Sequence, residues 1–270
     1  MSNESLIPQP DFGPSRLGTR DYWDKVYVRE VGNYNDHGDI GEIWFGEDSA
    51  MKMVNWVEEN YDSIKETCSV LDLGCGNGHL LLDLAELGFE DLTGIDYSPA
   101  AITLARSVAK DKELDHMIQY EAVDFLVEET LAWCARQSGP GQEQDVGDVQ
   151  PKKFKVLLDK GTYDAISLHQ KNKRDAAAAG ENTGEEGESG AVAEHSNPTD
   201  GGVTAEGDDN MEELADRYPR RVSSMMEDDG RLLITSCNWT QAELIQRFAH
   251  GTYSYTCRGM ICYGLKRDVI

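Results

Sequence analysis

Val70-Leu71-Asp72-Leu73-Gly74-Cys75-Gly76-Asn77-Gly78 is the stretch on which the reading of this chain turns. The apolar run from Ser69 to Leu73 has the length and make-up of a buried strand. It enters a loop with glycine at every second position, where a ligand can lie against bare backbone. A dinucleotide-binding loop reads GxGxxG and aims a helix N-terminus at pyrophosphate, whereas here the third glycine comes one residue early. The loop is therefore expected to hold a ligand that has no phosphate to cradle.

Outward from this loop, short apolar runs alternate with amphipathic stretches. Leu80 to Leu87 reads as a helix stopped by Gly88, and Leu92 to Asp96 as a second strand. Ser98-Pro99 supplies an N-cap and a first-turn proline for a helix carrying Ile102, Ala105, Val108 and Ala109. Ile118 to Val123 is expected to be a third strand, Phe125 to Arg136 a helix and Phe154 to Leu158 a fourth strand. Met211 to Met226 is helical in pattern, with a stop at Gly230. Arg231 to Thr235 then makes a fifth strand, and Thr240 caps a helix carrying Leu244, Ile245 and Phe248. Upstream, Ser49 is the expected N-cap of a helix over 50–61. The order implies an α/β fold: a mostly parallel sheet covered by helices on both faces.

Residues 1–16, rich in proline, are expected to form a flexible lead-in to a single domain over 17–270. Within it, residues 171–210 lack aromatic side chains, are rich in Gly, Ala and Glu, and are expected to be a disordered acidic insert. That segment carries part of the formal charge of -25, set by 50 acidic against 25 basic residues. Such a charge opposes binding to nucleic-acid backbones or anionic membranes and suits a basic protein partner. The six cysteines form no CxxC pair, so no metal site is expected. Neither an N-terminal apolar leader nor a membrane-length apolar run is present, which predicts reduced thiols in the cytosol, with the nucleus as a second compartment.

Asp96 ends the second strand, eighteen residues after Gly78, where a carboxylate can accept from both hydroxyls of a ribose. Asp124 ends the third strand. It has two readings, an adenine contact and the N-cap of the helix that follows. Features at the carboxyl ends of consecutive strands line the crevice side of an open α/β sheet, so a nucleoside cofactor is expected there.

Residues 69–124 resemble the class I, seven-strand, Rossmann-like methyltransferases, whose first motif is an acidic residue followed by GxGxG. The resemblance implies S-adenosylmethionine (SAM) as cofactor, with Asp72, Gly74, Gly76 and Gly78 at its methionine end, Asp96 on the ribose and Asp124 near the adenine amine. Four further segments narrow it: Leu17-Gly18-Thr19-Arg20 with Trp23, Gly41 to Gly46, Leu158 to Ile166, and Ile234 to Thr240. In that order they are similar to the lysine methyltransferases of eukaryotic elongation factor 1-alpha. By this likeness the substrate is that translation factor, Trp44 belongs to the cofactor side, and Phe45, Lys160, Thr162, Tyr163, Asn238 and Trp239 to the substrate side. The family closes its sheet with an antiparallel pair of strands. Thr252 to Ile270 has room for one, so the C-terminal strands are expected to be altered or missing.

Asp159, ending the fourth strand, is expected to hydrogen-bond and aim the acceptor amine rather than act as a general base, since a carboxylate favours the charged ammonium. Trp44, Phe45, Tyr163 and Trp239 offer aromatic faces for a methylated ammonium or, equally, ordinary packing. Lys160 and Asp164 have a second reading as a local ion pair, and His79 reads as a residue of a helix surface. A monomer is expected. Two other functions share the cofactor loop: a small-molecule methyltransferase, and a SAM-binding module that its altered C-terminus leaves inactive.

Overall fold

The computed structural model describes residues 15–127, 152–168, 214–249 and 260–264. The N-terminal lead-in through Pro14, residues 128–136 of the helix expected over Phe125 to Arg136, whose first three residues form a turn, and the acidic insert at 171–210 lie outside the described residues. Six strands form one sheet: β1 (Val70–Leu73), β2 (Leu92–Asp96), β3 (Ile118–Ala122), β4 (Phe154–Lys160), β5 (Met226–Ser236) and β6 (Met260–Gly264). Their order is β3-β2-β1-β4-β5-β6, and every pairing is parallel. The order reverses between β1 and β4. That switch point opens a crevice at the carboxyl ends of these strands.

Alternation along each strand splits its side chains between two cores. Val70 of β1, Val156 and Leu158 of β4 and Leu233 of β5 join one apolar cluster; Leu71, Leu73, Leu157, Leu232 and Ile234 join the other. The first core is covered by α2 (Gly46–Tyr61), α3 (His79–Glu86) and α4 (Pro99–Asp111), the second by α5 (Leu214–Met225) and α6 (Gln241–Ala249). Helices thus cover both faces, as the apolar runs require.

Several boundaries move. α2 starts at Gly46 rather than after Ser49, because Phe45 turns the chain in the left-handed region at φ 68° and Ser49 lies buried inside the helix. α5 stops at Met225, and β5 already begins at Met226 instead of Arg231. A register shift absorbs the surplus residues: Phe154 faces Met226 while Val156 faces Arg231. Lys155, between them, pairs with Glu227 and Asp229. Thr240 caps α6 as expected, and reciprocally: its hydroxyl accepts from Glu243 N while Glu243 Oε2 accepts from Thr240 N. After α6 a single strand is described, β6. It runs parallel to β5 and not as part of an antiparallel closing pair, the direction a helical crossover imposes.

The helix α1 (Arg20–His37) was not legible as a helix. Trp23, Val26, Tyr27, Glu30, Val31 and Tyr34 recur at spacings of three and four, but charge interrupts the apolar stripe. α1 packs against α4, and Tyr34 Oη donates to Asp111 Oδ2 at 2.7 Å. This places the Ser15 to Trp23 segment over the sheet's carboxyl edge.

Candidate functional site

At that edge lies a cavity of about 260 Å³. Its wall includes Gly74 and Gly76 of the loop, Asp96, Asp124, Trp44, Phe45, Lys160 to Thr162, and Asn238. Residues as far apart in sequence as Trp44 and Asn238 therefore meet in one space.

Asp96 is fixed from two sides, with Gly76 N donating to Oδ2 at 3.1 Å and Ser98 N to Oδ1 at 2.9 Å. Burial pushes its carboxyl up to about 6, against the lowering effect of these two hydrogen bonds, with Asp24 raising it and Arg20 lowering it. Asp124 stands in the cavity wall and caps a local turn, with Leu126 N donating to Oδ1 at 3.1 Å, while residues 128–136 of the helix it was expected to open lie outside the described residues. Arg20 holds the other oxygen at 2.5 Å and lies over the Tyr97 ring, whose hydroxyl donates back to Arg20 O at 3.2 Å. The N-terminal segment is thereby strapped to the ends of β2 and β3.

On the opposite side, Trp44 stands edge-on to Trp23 at 4.8 Å between ring centroids. Lys160 Nζ donates to Trp44 O at 2.8 Å, and Thr162 Oγ1 to Leu73 O at 2.6 Å, which ties β4's exit to β1's. The Phe45 ring lies on Gly161 so closely that a Cβ there would collide with it. Phe45, a non-glycine residue at positive φ, is thus kept in a conformation that glycine would adopt with less strain.

Several expectations about the site are corrected. Asp159 does not face the cavity: it is fully buried and receives Thr162 N at 2.8 Å, Tyr163 N at 3.0 Å and Tyr218 Oη at 2.5 Å. It caps the helical stretch 162–168 and has no room for an acceptor amine. Asp164 is the carboxylate that reaches the cavity wall, held by Ser236 Oγ at 2.5 Å and Cys237 N at 2.8 Å. Tyr163 and Trp239 are core residues, their rings 5.8 Å apart, with Tyr218 at 4.9 Å from Tyr163. Asp72 and Gly78 stand behind the lining. Burial pushes Asp72 up to about 7 despite Lys160 beside it, and Gly78 caps α3 against Tyr120.

His79 is buried and lines the cavity, so it is no surface residue of α3. Lys160 and Asp164 bind different partners instead of each other. Tyr27, whose hydroxyl lies over Gly76, also lines the cavity and was missed with α1; its aromatic spacing to Trp23 was the available signal.

A family model described as a methyltransferase domain matches residues 64–265. EEF1A lysine methyltransferase 2 of Mus musculus is 38% identical over 251 residues, covering 93% of this chain and 78% of the mouse protein. The Homo sapiens protein of the same name is 36% identical, with 93% and 80% covered. Protein-lysine N-methyltransferase efm4 of Schizosaccharomyces pombe is 34% identical, with 87% and 81% covered.

Proposed function

As the chain belongs to the methyltransferase-domain family, and within it to that of the EEF1A lysine methyltransferase 2 proteins, we propose that it methylates a lysine of elongation factor 1-alpha. One observation carries the reading: the glycine loop, Asp96 and Asp124 share a single cavity with Trp44, Phe45, Lys160 to Thr162 and Asn238.

The donor set fits SAM. Asp96 keeps lone pairs beyond those used by Gly76 and Ser98, enough for two ribose hydroxyls. The two basic residues in the wall are already engaged, Arg20 with Asp124 and Lys160 with Trp44 O, so no cluster of free cations calls for a phosphate. When bound, SAM supplies an electrophilic methyl group on a sulfonium. The chain's part is to position the two reactants and exclude water, and alignment of this kind is worth effective molarities above about 10⁵ M. The acceptor amine has a reference pKa of about 10.4, and the apolar surface that Trp44 and Phe45 give the cavity wall would lower it toward the neutral nucleophile. Asp164 takes over the aiming of the amine from Asp159. The same reading has the chain act as a cytosolic monomer, without nucleic acid. Among the described residues no helix is long and apolar enough to cross a membrane.

Incubating the chain with elongation factor 1-alpha and methyl-labelled SAM, followed by mass spectrometry of its peptides, is expected to find methyl-lysine. Label only on small molecules would overturn the acceptor class, and SAM binding without transfer would mark a binding module.

Two variants test the two sides of the cavity. Phe45→Gly removes backbone strain and a cavity wall together, so it is expected to change stability by no more than about 1 kcal/mol. Methyl transfer should fall at least roughly tenfold as the acceptor slot opens. Unchanged turnover would remove Phe45 from the acceptor side. Asp96 predicts a pH effect. Its carboxyl titrates near 6 in the free chain, and ribose hydroxyls bind the ionised form. Protons must then leave on binding below that pH, so SAM affinity should weaken by up to about tenfold per unit as pH falls from 6 to 5. Asp96→Asn, which cannot titrate, should flatten that slope in calorimetry; a slope that survives belongs to another group.

A further inference from the structure

His79 opens α3 directly after the glycine loop, is 7% exposed and lines the cavity. Asn77 fixes its ring. Asn77 Nδ2 donates to Ile40 O at 2.9 Å, which turns the amide oxygen toward His79, 3.0 Å from Nδ1. An amide oxygen only accepts, so Nδ1 carries the hydrogen and the neutral ring presents Nε2 as a bare lone pair. Burial, with Lys160 adding to it, holds the imidazole down to about 3, so the ring stays neutral around neutral pH. Nε2 is buried and has no hydrogen-bond partner among the described residues.

A buried acceptor left without a donor is costly, and its position in a ligand cavity points to a donor on the ligand. SAM offers three kinds of donor group. The reading above gives the ribose hydroxyls to Asp96 and the adenine amine to Asp124. The α-ammonium of the methionine portion remains.

We propose that His79 Nε2 accepts a hydrogen bond from the α-ammonium of the cofactor, which makes His79 a cofactor-binding residue that sets the methionine end in register with the acceptor slot. The inference rests on the cavity holding SAM.

Two ligands and two variants test it. S-adenosylhomocysteine carries the α-ammonium, whereas 5′-methylthioadenosine keeps the nucleoside and lacks the amino-acid end. His79→Asn retains an amide where Nδ1 meets Asn77 but has no atom in place of Nε2; His79→Gln puts its amide at the Nε2 position. In calorimetry, His79→Asn is expected to weaken S-adenosylhomocysteine by about ten- to a hundredfold, the worth of one charged hydrogen bond, and to leave methylthioadenosine within about threefold. His79→Gln should recover most of the loss. Unchanged affinity in His79→Asn, equal losses for both ligands, or a glutamine variant worse than the asparagine one would overturn the proposal, the last two by marking His79 as a support for Asn77. If the unaltered chain binds neither ligand, the cofactor reading itself fails and the assignment of His79 falls with it.

Discussion

The Asp159→Ala variant is expected to unfold about 10 °C below the unaltered chain, with the folded fraction still binding S-adenosylhomocysteine at low temperature. The carboxylate accepts from Thr162 N, Tyr163 N and Tyr218 Oη, and the residue is fully buried. Alanine would leave these donors without their acceptor in a space that water reaches poorly. Each buried orphan costs about 1–3 kcal/mol, so the three together cost about 3 kcal/mol even at the low end, and each kcal/mol moves the midpoint by roughly 2–4 °C in a chain of this size. Tyr218→Phe removes only one of the three partners and should cost about 1–2 kcal/mol. Because the two residues share that hydrogen bond, the double variant should lose less than the sum. Thermal denaturation of the three variants settles the matter. If Asp159→Ala melts with the unaltered chain and loses only methyl transfer, the carboxylate faces the acceptor after all.

Asp159 also shows where sequence reading stops. The apolar run from Phe154 and the acidic residue at its end located β4 correctly, and the same reasoning located β1, β2 and β3 to within a residue or two at each end. Two carboxylates, Asp159 and Asp164, flank the exit of β4. Which one caps the helical stretch 162–168 and which one faces the cavity depends on the phase of that stretch, and composition does not fix phase. Tyr163 and Trp239 were misplaced for the same reason: an aromatic residue beside a site can turn inward or outward, and both pack inward here. His79 was misread because a single histidine after a loop looks polar, while Asn77 two residues earlier holds its ring in a buried position. Asp96 and Asp124 were legible because a carboxylate at a strand's end in this topology has one side open to the crevice. The direction of β6 was not legible, since it depends on how α6 returns the chain to the sheet.

Asp96→Ala is expected to reduce SAM affinity by about 10²- to 10⁴-fold while methylthioadenosine, which has the same ribose, falls in parallel. Two hydrogen bonds from the ribose to a carboxylate are worth about 1.5–3 kcal/mol each, and every 1.4 kcal/mol is a factor of ten in binding. A second effect adds to the first. Gly76 N and Ser98 N both donate to this carboxylate, so its loss also frees the glycine loop from the end of β2. Asp96→Asn separates the two contributions: its amide oxygen can still accept from one of the two backbone donors, while its NH₂ group faces the other donor or a ribose hydroxyl. The asparagine variant should therefore lie between the unaltered chain and the alanine variant in affinity, with a melting temperature close to that of the unaltered chain. The parallel loss of methylthioadenosine distinguishes this site from His79, whose variants should spare that ligand. Titration that finds Asp96→Ala binding SAM normally would take the ribose away from β2, and with it the order in which the cavity wall is assigned to the parts of the cofactor.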